Sequence, residues 1–217
     1  DRRDRLIGYL SLKYRFTNWL NLSIRSGADV YTDLRNEREG QKTPFRFGGY
    51  VRNAQYNVSE INTDALLTAS GKLSKDFTGS ISAGASSYDK KYNESGSEGS
   101  NLIADGVYTI SNTSLQNGIF GSIRKRINSI YANGQVGYKN YLFLDVAARN
   151  DWSSTLSKGN YSFFYPSVAL SYVFTDALAI KSNLLNFGKL RLSYAQAGSD
   201  ASAYLTKAGY SIWNTGY

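Results

Sequence analysis

The 217 residues contain no cysteine, no histidine and no methionine, and only two prolines. Without cysteine there is neither a disulfide framework nor thiolate chemistry. Without histidine the commonest general base, the Ser-His dyads and the usual zinc and copper ligands are all missing. Enzyme readings therefore start at a disadvantage. The absence of methionine extends to position 1, which leads us to expect a processed protein or a fragment of one. No secretory signal is visible, since Asp1-Arg2-Arg3-Asp4-Arg5 leads straight into a strand pattern. No apolar run approaches the roughly 20 residues of a membrane helix, a test that strands with alternate apolar residues escape. The formal net charge is +8, but the basic residues are scattered and the densest cluster is Arg124-Lys125-Arg126. That pattern argues against a nucleic-acid partner. It fits solvated loops, the wall of a polar passage, or anionic lipid headgroups.

Alternation is what the chain has in plenty. Ile130, Ala132, Val136, Tyr138, Leu142, Leu144, Val146 and Ala148 occupy even positions, followed by Phe164, Val168, Leu170, Tyr172 and Phe174. Ser129, Asn133, Gln135, Asp145, Arg149, Asp151, Ser167 and Ser171 fall between them. A period of two places one set on each face of a strand, so one face is apolar and the other polar. A soluble sheet buries such a face; a membrane barrel turns it to lipid. The same pattern predicts strands over 5–16, 19–30, 64–74, 77–88, 128–138, 141–150, 161–174 and 188–197, roughly eight in all, with a short helix near 179–185.

The predicted connections alternate in length. Thr17-Asn18, Lys75-Asp76 and Lys139-Asn140 are tight hairpin joints. Long polar segments near 31–63, 89–127 and 152–160 read as loops, and 199–217 reads as the start of another. Structureless loops of that length are rare in compact soluble domains. Short turns alternating with long loops are the pattern of an outer-membrane barrel, with turns in the periplasm and loops outside. A soluble β-sandwich would need shorter, more even connections. Strands of about ten residues, rising ~3.3 Å each and tilted ~45°, project to ~23 Å, close to the ~25 Å apolar band of such barrels. Aromatic residues stand at both strand ends: Trp19, Phe77 and Tyr141 by the turns, and Tyr31, Tyr88, Trp152 and Tyr161 toward the loops. The expected fold class is an all-β, antiparallel transmembrane β-barrel, and the expected location is the outer membrane, crossed many times.

Three segments occur in order: Arg149-Asn150-Asp151-Trp152-Ser153-Ser154-Thr155-Leu156, then Phe163-Phe164-Tyr165-Pro166-Ser167, then Gly188-Lys189-Leu190-Arg191-Leu192-Ser193-Tyr194-Ala195-Gln196-Ala197-Gly198. With Asn128-Ser129-Ile130-Tyr131 and Gly137-Tyr138-Lys139-Asn140 before them, they resemble the SusC/RagA family of TonB-dependent outer-membrane transporters of Bacteroidetes. The resemblance is specific over 128–200 and architectural over 1–127. It implies a barrel of about 22 strands closed by a plug, of which this chain would be a mid-barrel piece without plug, TonB box or closing strand. It further implies import of oligosaccharides or peptides, a SusD-like lipoprotein over the extracellular mouth, and energy from the TonB complex through the plug. No catalytic residue, metal site or cofactor is implied. A structural or adhesive outer-membrane barrel, with binding loops and no energised transport, is the other reading.

Candidate site residues come from the polar face. Asp145, Arg149 and Asp151 share one side of a strand, and Arg191 on the last strand is a further candidate to face the lumen. They fit a polar substrate site, or an ion-pair ladder that fixes strand register. Pro166 cannot donate a ladder hydrogen bond and is expected to mark a bulge or strand entry.

Overall fold

The computed structural model describes residues 1–44, 46–157, 159–182 and 184–205. Eight antiparallel strands form one sheet in which each strand pairs with its sequence neighbours. They are β1 (Arg2–Arg15), β2 (Leu20–Glu39), β3 (Tyr50–Lys72), β4 (Phe77–Leu102), β5 (Thr113–Tyr138), β6 (Leu142–Ser153), β7 (Ser162–Val173) and β8 (Lys189–Ala195). A 3₁₀ turn at Ile110–Asn112 precedes β5, and a four-residue helix, α1 (Phe174–Ala177), follows β7.

Strand number and pairing agree with the alternation pattern; strand length does not. The segments 31–63 and 89–127 were expected as loops, yet most of both is strand, leaving connections only at 40–49 and 103–112. Neither face is continuously apolar there, so hydrophobic periodicity has nothing to detect. The ladder persists because backbone pairing does not depend on apolar side chains, and cross-strand polar pairs support it. The connection after β6 lies at 154–161, close to expectation. Of the segment 199–217, only 199–205 falls within the described residues.

The short helix is likewise earlier than the expected 179–185. Ala179 takes a positive φ of 49° directly after Leu178, and a left-handed residue there ends the helix. Pro166 makes no bulge. It lies inside β7 in unbroken register opposite Ala148.

The chain divides into two compact units. One comprises Asp1–Leu10, Ser26–Asn62 and Tyr88–Lys125; the other comprises Ser11–Arg25, Thr63–Ser87 and everything from Arg126 onward. The first holds the connections at 40–49 and 103–112. The second holds the tight turns at 16–19, 73–76 and 139–141 together with the longer connections at 154–161 and 174–188. At the β5–β6 turn, Lys139 and Asn140 both have positive φ (47° and 61°) and the Tyr141 amide donates to the Tyr138 carbonyl, the geometry of a two-residue hairpin whose twist matches its strands. Beside it the rings of Phe77, Tyr138, Tyr141 and Tyr172 form a run with successive centroids 4.9, 5.6 and 6.3 Å apart.

Register in the second unit resolves the two faces. Val136, Leu144, Leu170 and Leu192 stand opposite one another across β5–β8, and so do Gly134, Val146, Val168 and Tyr194. One residue away, Gln135, Asp145, Ala169 and Ser193 form a row on the other face. The apolar rows stay open, with Val136, Leu144, Leu170 and Leu192 between 41 and 63% exposed. Among the described residues no second layer covers them. In water such a surface would be an aggregation hazard.

Candidate functional site

The polar face of the second unit carries all four candidate residues. Gln135 and Asp145 are ladder partners, and the Gln135 amide donates to Asp145 Oδ1 at 2.6 Å. Arg149 donates through Nε to Asp151 Oδ1 at 2.6 Å and through Nη2 to the hydroxyl of Ser129 at 2.8 Å. Its guanidinium also lies 5.7 Å from the Tyr131 ring centroid. Tyr131 in turn donates to Asp64 on β3. Two-residue spacing brings these groups together because a strand returns to the same face every second residue. Arg149 and Asp151 therefore form an ion pair fixed on a neighbouring strand.

Asp145 and Arg191 belong to a different part of that face. They line a hollow of about 500 Å³ together with Gln135, Phe143, Ser171 and Lys189. Phe143, Ser171 and Arg191 are register partners across β6, β7 and β8, with Lys189 one same-face step further along β8. So the structure separates the four candidates into a bonded pair (Arg149, Asp151) and two members of a hollow (Asp145, Arg191).

A close approach on this face requires a glycine. A Cβ on Gly84 would lie 2.6 Å from the Tyr131 ring and 2.7 Å from the Ala65 carbonyl oxygen. Tyr131 thus packs over bare backbone, which is how aromatic rings offset a strand glycine.

The Asp-Trp-Ser-Ser-Thr run proves to be a clamp. Ser153 and Thr155, each 3% exposed, donate their hydroxyls to Asp200 Oδ2 at 2.7 and 3.2 Å. Ser154 Oγ accepts the Arg126 amide at 2.8 Å, and the Ser154 amide donates to the Arg126 carbonyl. Asp200 was not singled out from the sequence, because a contact 45 residues away leaves no local pattern.

The first unit holds a second polar cluster that sequence reading missed. Asp33 accepts Arg3 and Arg35 at 2.6 and 2.9 Å, Arg5 pairs with Asp29, and Lys90 pairs with Glu60 at 3.3 Å. Arg52 Nη2 contacts Glu94 at 2.6 Å and the Tyr56 hydroxyl at 3.1 Å, while its Nε is buried without a partner among the described residues. The Arg35 guanidinium lies 4.7 Å from the Tyr56 ring centroid. Tyr50 donates to Glu98, and burial followed by that bond pushes its hydroxyl above the usual tyrosine range. Each base here has an acid beside it, so the cluster is a knitted wall with its charges already matched. The alternate spacing of Arg3 and Arg5 leads into the expected strand 5–16, whereas Tyr92 and Glu94 fall within the segment 89–127 expected as a loop, so their shared face has no pattern to announce it.

Among the described residues no group of three or more histidine, cysteine, aspartate or glutamate side chains is arranged to hold a metal ion. What the polar face offers is hydrogen bonding and charge.

Comparison with known proteins adds a family and a fold. Residues 1–215 match the family described as TonB dependent receptor-like, beta-barrel. No curated protein matches. Among solved structures, that of the RagAB peptide transporter superposes with a TM-score of 0.74 at 16% identity, over 89% of this chain and 23% of that one. The RagAB peptide importer in its "closed-closed" state gives 0.73 at 16% identity, over 89% and 22%. Its "open-open" state gives 0.74 at 17%, over the same shares. The chain therefore spans less than a quarter of the length of these structures.

Proposed function

We propose that the full-length protein imports nutrients across the outer membrane, because this chain belongs to the TonB-dependent receptor-like β-barrel family, whose barrels reside in that membrane and serve transport. Within the family we assign it to the SusC/RagA group, on the ordered motifs of 128–200. The carrying observation is the family match across 1–215 of an antiparallel sheet whose apolar rows have no covering layer among the described residues.

On this reading the even rows of β5–β8 face lipid, and the run of Phe77, Tyr138, Tyr141 and Tyr172 sits at one membrane interface, where amphipathic rings are favoured. The opposite face lines the passage, with Asp145, Arg149, Asp151 and Arg191 among its polar groups. The substrate is an oligosaccharide or a peptide, the latter supported by the likeness to a peptide importer. A SusD-like lipoprotein caps the outer mouth, and TonB acts through a plug supplied elsewhere in the full-length protein. This stretch makes and breaks no bonds; it contributes wall and passage lining.

The test is uptake of labelled oligopeptide and oligosaccharide mixtures by cells with the full-length gene deleted and restored, with and without TonB. Uptake should need both the gene and TonB. Uptake that survives TonB deletion would overturn the reading.

A further inference from the structure

We infer that the hollow on β5–β8 is a seat for a carboxylate group of the transported molecule. This deepens the import reading and rests on it, because the polar face must line the passage. The charges on this face are unequally matched. Arg149 is held by Asp151 and Ser129. Asp145 takes the Gln135 amide. Lys189 and Arg191, both exposed, make no ion pair or side-chain hydrogen bond among the described residues. They stand two residues apart on one face of β8, so their side chains run parallel into the same hollow.

A third donor is built in. Ser171 is 4% exposed, lines the hollow, sits directly opposite Arg191 in register, and has no side-chain hydrogen-bond partner among the described residues. Its hydroxyl opens onto the hollow and so is available to donate to a group seated there. Two cations and a hydroxyl converging on one space form an acceptor-seeking site, and an arginine fork matches a carboxylate's two oxygens. Phosphate and sulfate would also fit by charge. The carboxylate is preferred because it is the anionic group that peptides and acidic oligosaccharides share.

Asp145 gives the hollow direction. It lies two strands from Arg191 and one same-face step along, which places the two backbones roughly 11–12 Å apart from strand spacing and rise. One end is therefore acidic and the other basic. A carboxylate is drawn to the Lys189–Arg191 end, N–H and O–H groups of the same ligand are accepted at the Asp145 end, and Phe143, beside Asp145 on β6, supplies an apolar wall. Two sources offer the group: the free C-terminus or acidic side chain of a peptide, and a uronic acid of an oligosaccharide.

The experiment uses the purified full-length protein with its lipoprotein partner. Four probes are compared by competition binding: an unblocked oligopeptide, its C-terminal amide, trigalacturonate and maltotriose. In the wild type at least one carboxylate probe should bind about tenfold more tightly than its neutral counterpart, a gap that shrinks with salt. The Lys189→Gln/Arg191→Gln double variant should cut that advantage to under about twofold, leave the neutral probe unchanged, and keep the heat-modifiable mobility of a folded barrel. The charge-preserving Lys189→Arg/Arg191→Lys pair should retain most of it. The peptide and uronate arms identify the source. Absence of a carboxylate preference in the wild type, or its survival in the double variant, overturns the seat. So does an equal loss for charged and neutral probes, which is the result expected if these bases instead anchor an acidic segment of the plug. Binding preference that persists without TonB-dependent uptake counts against the import reading alone.

Discussion

Leu144 and Asn133 sit on opposite faces of two paired strands, and their different surroundings make a direct test of which face meets lipid. Leu144 lies in the apolar row between Val136 and Leu170 and is 42% exposed. An arginine there would have to leave water for hydrocarbon, at about 2–4 kcal/mol if the position lies near the bilayer midplane. Leu144→Arg should therefore reduce the amount of full-length protein recovered in the outer membrane, and lower its urea midpoint in micelles. Asn133→Arg, exposed on the polar face, should change neither by much. Equal defects would reverse the face assignment. By polarity alone Ser129 looks like an equally good control, but the structure puts it 3% exposed beneath Arg149, where a second cation would be repelled. Gly84 tests packing in the same unit. Gly84→Val would push its side chain into the Tyr131 ring and should destabilise by about 1–3 kcal/mol, as overpacking does. Tyr131→Phe, which loses only the bond to Asp64, should cost about 1 kcal/mol. Urea unfolding of both variants checks the order; a milder Gly84→Val than Tyr131→Phe would show that the ring can move aside.

At the scale of strands and turns, the sequence was readable where one face is apolar and opaque where neither is. Leu142, Leu144, Val146 and Ala148 announce β6, and Lys139-Asn140 announces its turn because two polar residues interrupt alternation between tyrosines. No such contrast marks 89–102. There Asp89, Lys90, Glu94 and Glu98 pair with Arg124, Glu60's carboxylate, Arg52 and Tyr50 by polarity and charge, through contacts tens of residues away. Period-two hydrophobicity reports contact with lipid or core, and strands continue beyond either. The revised bounds make a prediction about topology. Gly106 has a positive φ of 79° and open space around it, in the connection 103–112, so an epitope tag inserted after it should be tolerated. If that side faces the cell exterior, the tag will bind antibody on intact cells. A tag between Lys75 and Asp76, in the tight turn, should be stained only after the outer membrane is opened. Staining in the reverse pattern would invert the chain in the membrane. A tag placed inside β4, for instance after Glu94, should abolish assembly; a true loop there would accept it.

For the molecule as a whole, the open question is how far the hydrocarbon band reaches along strands of up to 26 residues. A ~25 Å apolar band takes only about 9–11 residues of a strand tilted ~45°. Most of β4 and β5 must then project beyond lipid, and the even positions of β5 locate the crossing. Val136 and Ile130 are apolar, whereas Asn128, Arg126 and Arg124 are polar or charged, with Arg124 bonded to Asp89. Of the candidate site, alternation supplied the shared face, but only the register could part Arg149 and Asp151 from the hollow that contains Asp145 and Arg191. The absence of cysteine in the chain makes the band measurable. Single cysteines placed at 124, 128, 130, 136, 144 and 170, in the full-length protein cleared of any others, can be probed on membranes with a water-soluble maleimide. Positions 130, 136, 144 and 170 should resist labelling while 124 and 128 react. Cysteines at 133 and 193, on the polar face, should react if water fills the passage. Protection that extended to 124 would mean that lipid or a protein partner covers the charged collar, and labelling throughout the even series would show that this face does not lie in the bilayer at all.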